Sequence, residues 1–328
     1  MNTVENQSKT KNNFQIDIAV LLIFFCRDDK FSKVFEQVKI ARPSKLYLYQ
    51  DGPRNEKDMA GILKCREIAS QIDWECEVHT WYQEKNVGCD PSEFLSQRWM
   101  FGQEEMGIVL EDDDVPSQSF FPFCKELLEK YKDDERINQI CGMNNTGISE
   151  HIEDSYLFTT KGSCWGWASW SRVVMQWDEK YPWLDSALDL QNLKCQRMKN
   201  HEYKAYIQIS QGHRDSGKAH YETIGGMDVF LYNRLNIVPK YNMITNIGVG
   251  EETTHGASDL RLLPKSVSKL FNMKRYEIDF PLKHPKYMMP DYNYEKQMRL
   301  ASPLKTWRNK MEVIIRKVRY GFGKNARR

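Results

Sequence analysis

Gly107-Ile108-Val109-Leu110-Glu111-Asp112-Asp113-Asp114 sets a short apolar stretch directly against four consecutive acids. Four adjacent carboxylates repel one another unless a cation or a turn rich in N–H donors answers them. If extended backbone continues through the run, alternate side chains share a face. Glu111 then converges with Asp113, or Asp112 with Asp114. Hard carboxylate oxygens in such a group suit Mg²⁺ or Mn²⁺, ions that usually share their coordination with substrate phosphates. A solvated acidic loop is the plainer reading. Against it, the run interrupts an apolar strand and precedes a helix starting near Gln118.

Upstream, strands and helices alternate. Residues 16–25, with an apolar run from Ile18 to Phe25 bounded by charge, read as a buried strand. A helix over 30–41 ends before Pro43. A second strand at 45–50 stops at the turn signal Asp51-Gly52-Pro53. A helix over 56–71, a strand at 75–81 and a helix over 90–106 follow. For the last of these, Asp90 is placed to cap and Pro91 to occupy the first helical position. This order predicts a mostly parallel sheet flanked by helices, with ligands at the carboxyl ends of the strands. Cys26-Arg27-Asp28, Gln50-Asp51-Gly52 and Glu111 to Asp114 all fall at such ends. The second half reads as less regular. It holds an aromatic block (Trp165, Trp167, Trp170, Trp177, Trp183) and a Gly/Asp/His-bearing region over 212–226. The boundary between the halves is weak, so one body is expected.

The 328 residues include 41% hydrophobic, 28% charged and 12% aromatic side chains, enough for a sizeable core. Net charge is +2, which carries no nucleic-acid signature. Ten of the basic residues and one acid, Glu312, lie between Arg299 and Arg328, leaving 37 basic against 44 acidic residues elsewhere. The longest apolar run, Ile18 to Phe25, has eight residues, where a membrane-spanning helix needs roughly 20. The eight cysteines are scattered without a CxxC pair. With no export signal in the polar residues 1–15, reduced thiols in a cytoplasmic protein are expected.

The segment Val109 to Phe123 resembles the metal-binding segment of nucleotide-sugar glycosyltransferases of the GT-A fold. The bacterial family-2-like enzymes and the eukaryotic N-acetylglucosaminyltransferase I group are the nearest patterns. There an apolar strand ends in E-D-D (a DXD-type motif) and a Phe-Phe pair opens the next helix, here Glu111-Asp112-Asp113 and Phe120-Phe121. Cys26-Arg27, Tyr49-Gln50-Asp51-Gly52, Arg98-Trp99, Gly162 to Trp170, Gly226-Met227-Asp228, Asn246 to His255 and Pro281 to Pro285 resemble further family segments in the same order.

The resemblance implies an α/β GT-A architecture: a Rossmann-like, mostly parallel sheet flanked by helices. Residues 16–115 would be the nucleotide-binding half and 116–290 the acceptor half, between a disordered leader (1–15) and a basic tail (291–328). It also implies a metal-dependent, inverting hexosyltransferase. Such an enzyme would move a sugar from a nucleotide-sugar donor, UDP-linked by preference, to a carbohydrate or lipid-linked glycan in surface-polysaccharide synthesis. Asp113 would bind Mn²⁺ or Mg²⁺, with Asp112 and Glu111 holding the sugar, the ribose and a ligand water. Asp114 departs from the eukaryotic pattern, which leaves the choice of direct ligand open. Cys26, Arg27, Asp51 and Arg98 would serve the donor. Asp228 would be the general base that inversion requires, with Glu222 as its competitor. His255 would close the metal or diphosphate site, and Trp165 and Trp167 would form an acceptor platform.

Each residue also has a plainer reading: an ordinary ion pair for Arg27, a turn for Asp51, a helix cap for Asp228, an exposed or structural imidazole for His255, core packing for the tryptophans. In the tail, Leu304, Trp307, Met311, Ile314, Ile315, Val318 and Phe322 fall at helical spacing among basic residues. This amphipathic helix suits an anionic membrane surface, placing the protein peripherally on the inner face of the cell membrane. Docking on the protein body suits the pattern equally. Two rivals remain. A sugar nucleotidyltransferase would need a glycine-rich loop after the first strand, where Phe24 to Asp28 has none. A catalytically silent nucleotide- or glycan-binding protein would not need the intact acids.

Overall fold

The computed structural model describes residues 15–196, 198–249 and 260–301, with 312, 315 and 316. Strand β1 (Ile16–Phe24) carries the longest apolar run, and both of its faces are buried. Ile18, Val20, Leu22 and Phe24 join one core cluster, while Ala19, Leu21 and Ile23 join another on the opposite face. This is the period-2 geometry of a strand covered on both sides. Helix α1 (Asp28–Ala41) packs Phe31, Val34, Phe35 and Val38 into the first cluster, the i, i+3, i+4, i+7 stripe of an amphipathic helix. Asp28 and Asp29 occupy its first turn and Lys39 its last, each complementing the helix dipole.

Strands β2 (Pro43–Gln50), β3 (Glu77–Tyr82) and β4 (Met106–Glu111) alternate with helices α2 (Met59–Ala69) and α3 (Cys89–Phe101). After β4 come β5 (Asp114–Pro116), α4 (Phe120–Lys130), β6 (Ile137–Cys141), β7 (Tyr156–Thr159), β8 (Trp167–Trp170) and α5 (Ser171–Val174). The chain continues through α6 (Ala187–Lys194), α7 (Asn200–Ser216), α8 (Tyr221–Leu231), β9 (Leu235–Pro239), β10 (Ile244–Asn246), α9 (Lys265–Ser268) and α10 (Tyr292–Ala301). Eight strands form one sheet in the order β3-β2-β1-β4-β8-β6-β9-β7. β7 and β8 run against the other six. The α/β class read from the sequence holds, with a mostly parallel central sheet flanked by helices.

Three expectations are corrected. The acid run is not continuous strand: β4 ends at Glu111 and β5 begins at Asp114, so the chain turns at Asp112 and Asp113. Alternation therefore does not decide which acids converge. The second half is as regular as the first, supplying four strands of the main sheet. Asp90 does not cap α3. Gly88 precedes the helix, with φ +94°, and Asp90 lies in the first turn.

Among the described residues, no helix is long and apolar enough to cross a membrane. Most of the basic tail lies outside the described residues. Of its described members, Glu312 accepts from Lys265 N at 3.0 Å and Arg316 Nη1 donates to the Arg261 carbonyl at 3.2 Å, while Ile315 is exposed.

Candidate active site

β4 carries Glu111 to the carboxyl edge of the sheet, where the chain turns toward β5. Asp114 is fully buried in this turn. Its Oδ2 accepts from Gly166 N at 2.8 Å and its Oδ1 from Asn246 Nδ2 at 3.0 Å. It ties the turn to β10 and to the loop before β8. The same Asn246 amide donates to Asp113 Oδ1 at 2.8 Å. A Cβ on Gly248 would stand 2.2 Å from Asp113 Oδ2, so any larger residue there would have to displace that carboxylate.

Asp112 and Asp113 face Arg27, which follows β1. Arg27 Nη2 reaches Asp113 Oδ2 at 2.8 Å, Nε donates to Asp112 Oδ2 at 3.3 Å, and Nη2 also pairs with Asp112 Oδ1. Burial opposes the guanidinium charge. The two carboxylates more than offset that opposition and hold Arg27 above its usual range. Nearby carboxyls go the other way. Burial first, then mutual repulsion, pushes Glu111, Glu93 and Asp114 well above the usual carboxylate range.

Cys26, Arg27, Asp51, Glu111 and Asp112, five of the residues expected at the donor site, line one cleft of about 120 Å³. Asp51 closes one wall. Its oxygens accept from the backbone N–H groups of Gly52, Val87 and Gly88 and from Asn86 Nδ2, at 2.7 to 3.0 Å. Three of those four bonds order the loop over 86–88, so Asp51 shapes the wall and has little capacity left to read a base. Arg54, which the sequence did not single out, also lines the cleft and lies over the Phe25 ring at 4.9 Å. Arg98 is elsewhere. Its Nη1 donates to the Trp177 carbonyl at 2.8 Å and its guanidinium lies over Phe94, so it braces α3 against the loop after α5.

A second cavity of about 460 Å³ lies beside α8, with Trp165, Trp177, Tyr221 and Glu222 in its lining. Tyr221 donates to Glu111 Oε1 at 3.3 Å. Asp90, Glu93 and Glu222 each place a carboxylate oxygen within 4.8 Å of the others. Glu93 lines the first cleft and Glu222 the second. Each cavity is thus lined by one carboxylate of the same cluster. Sequence reasoning missed Glu93 because it sits unremarkably inside α3.

Asp228 is not part of this cluster. It lies six residues further along α8, 3% exposed, with Oδ2 unpartnered, and it lines neither cavity. Burial, partly offset by Arg234, pushes it to about 7. Of these two α8 carboxylates, Glu222 lines a cavity and Asp228 does not. Trp167 lines neither cavity. It is 1% exposed, stacked between Phe101 and Tyr221 at 6.2 Å each, and offers no open face to a sugar. Trp165 does line the second cavity. His255 lies outside the described residues.

The donor set fits a divalent cation of the Mg²⁺ or Mn²⁺ class. Asp112 and Asp113 are hard oxygen donors that share the Arg27 guanidinium, and among the described residues Asp90, Glu93 and Glu222 form a further group of carboxylates close enough to hold an ion.

No protein-family model and no curated protein matches the chain. Among solved structures, a 4-diphosphocytidyl-2C-methyl-D-erythritol synthase from Anaerococcus prevotii aligns at 9% identity over 60% of this chain and 84% of its own, with a TM-score of 0.32. An apo UDP-glucose pyrophosphorylase aligns at 8% over 69% and 93%, with a TM-score of 0.32. A glycosyltransferase from Streptococcus pneumoniae aligns at 10% over 69% and 54%, with a TM-score of 0.29. Likenesses of this size carry no argument.

Proposed function

We propose that the chain is a metal-dependent glycosyltransferase that moves a sugar, with inversion, from a nucleotide-sugar donor (UDP-linked by preference) to a carbohydrate acceptor. The observation that carries the reading is the closeness of Glu93, which lines a cleft with Arg27 and Asp112, to Glu222, which lines a larger cavity. A two-substrate transfer needs two adjoining sites with a proton acceptor between them.

In this reading the nucleotide occupies the cleft beside Cys26, Arg27 and Asp51. Arg27 turns from the aspartates to the diphosphate oxygens. Asp113, with Asp112, holds Mn²⁺ or Mg²⁺; when bound, the ion stabilises the charge that grows on the departing diphosphate. Glu222 takes the proton of the acceptor hydroxyl as that oxygen bonds to the anomeric carbon. The bond from that carbon to the phosphate oxygen breaks, and its electron pair leaves with the nucleoside diphosphate. Glu111, held by Tyr221, borders the transferred sugar. His255 and the membrane-facing role of the tail remain part of the proposal from sequence.

The test is a thermal-shift panel of nucleoside diphosphates and nucleotide sugars, with and without Mn²⁺, on the wild type and Asp113→Asn. Stabilisation by one nucleotide class that needs both Mn²⁺ and Asp113 is expected. A shift that is independent of metal and survives in the variant overturns the transferase reading in favour of a nucleotide-binding protein.

A further inference from the structure

The larger cavity says what kind of acceptor it takes. Its cations are already matched within the protein. Lys161 Nζ lies 3.0 Å from Glu202 Oε1, both side chains largely buried, and Arg299 Nη2 lies 2.9 Å from Glu295 Oε2. Glu222 adds a carboxylate close to Glu93 of the donor cleft. A phosphate or carboxylate entering here would be desolvated beside a like charge, with its natural partners engaged elsewhere.

The uncharged polar groups are different. Asn138 Oδ1, Asn145 Oδ1 and Trp177 Nε1 are buried without a partner, as is Nε of the otherwise paired Arg299 guanidinium, and all four residues line the cavity. Buried polar atoms are rarely left so, and their loss of water is costly unless something answers them. The two amide oxygens are acceptors and the indole N–H is a donor, which the several hydroxyls of a sugar, each both donor and acceptor, can satisfy between them. Aromatic side chains, Trp165 and Tyr206 among them, provide apolar wall for ring C–H faces. The volume of about 460 Å³ lies within the range of small-molecule sites, roughly 300–1,000 Å³, and admits more than one ring.

We infer that this cavity binds the end of an uncharged oligosaccharide, at least a disaccharide, and presents its hydroxyl to Glu222. Charged sugars and the diphosphate of a lipid carrier are excluded from it. The inference rests on the transferase reading for its purpose but not for its binding.

Gly226 supplies the test. It lines the cavity, and a Cβ there would meet nothing within 4 Å. Gly226→Leu therefore starts from a Cβ that meets no protein atom and extends into the cavity, and removing a mid-helix glycine favours α8 by up to about 1 kcal/mol. Saturation-transfer NMR on the full chain would use lactose, maltose and N,N′-diacetylchitobiose, beside glucuronic acid and glucose 6-phosphate as charged probes. Expected is transfer to at least one neutral disaccharide and none to the charged probes. Binding should weaken about tenfold or more in Gly226→Leu, and also in Tyr206→Ala, which opens the wall instead of blocking it. UDP–Mn²⁺ binding, followed separately, should be unchanged in both. Binding of the charged probes, no neutral binding, or neutral binding unaffected by both substitutions overturns the inference. If neutral disaccharides bind as expected while no nucleotide does, the transferase reading fails and the cavity assignment stands.

Discussion

Carboxylate oxygens of Glu93, on α3, and Glu222, on α8, lie within 4.8 Å of each other, one facing the small cleft and the other the large cavity. Two helices from opposite halves of the chain thus bring like charges together, which costs stability unless the pair serves a site. Burial and the Glu222 charge push Glu93 well above the usual carboxylate range, while the Cys89 thiol donates to it at 3.1 Å.

If Glu222 takes the acceptor proton, Glu222→Gln should lower the rate of nucleoside diphosphate release from the preferred donor by about 10²–10⁴-fold. Nucleotide affinity should be unchanged. Asp228→Asn should stay within about threefold of wild type, since ΔΔG‡ for a group outside the site is small. The reverse pattern would restore Asp228 as the base and place the acceptor on the other side of α8.

Asp228 makes a separate prediction about stability. Its ordinary value is 3.8 and its folded value about 7, so the native state binds more protons than the unfolded chain between those limits. Its contribution is full below about pH 4, declines as pH rises toward 7, and is lost above; the difference is of order 4 kcal/mol. Asp228→Asn should flatten that part of the profile and raise Tm at pH 8. Thermal unfolding from pH 4 to 9 measures both, and an unchanged slope would mean that the carboxylate finds a partner when ionised.

The four acids of the turn should divide by role. Asp113→Asn should abolish Mn²⁺-dependent nucleotide binding with little loss of Tm, because an amide can still accept from Asn246. Asp114→Ala should cost about 2–4 kcal/mol, since it strands the buried Gly166 N–H and removes one of the two acceptors of the Asn246 amide. Urea titration read beside nucleotide binding separates the two effects. Equal stability losses would remove the distinction between the residues.

How far the sequence carried this division can be read from the same turn. The apolar run of β1, the helical stripe of α1 and the strand before the acids were legible because their periodicity is local and strong. The site was legible where it sits at strand ends: Cys26, Arg27, Asp51, Glu111 and Asp112 do share a cleft. What local pattern could not show was the bend between Glu111 and Asp114, which depends on the distant Asn246 and Gly166. Nor could it separate Glu222 from Asp228. They are six residues apart on one helix, and only the packing of α8 against α3 sends one into the site and the other into the core. Trp165 and Trp167 differ for a similar reason, β8 beginning between them and carrying Trp167 inward.

The last prediction concerns Arg27. Its guanidinium is the cation that answers Asp112 and Asp113, with the aspartate side chains 5% and 9% exposed. Arg27→Met leaves two buried carboxylates unanswered, and breaking a buried pair this way costs about 3–5 kcal/mol. A divalent cation at those oxygens would replace the lost charge. Mn²⁺ should therefore raise the Tm of Arg27→Met by more than it raises that of the wild type, where the arginine competes for the same oxygens. Ca²⁺ and Mg²⁺ controls, and the double variant Arg27→Met/Asp113→Asn, test whether the effect belongs to this site. Wild-type and variant shifts of equal size, or an undiminished shift in the double variant, would place the cation elsewhere. The nearest other set of carboxylates is that of Asp90, Glu93 and Glu222.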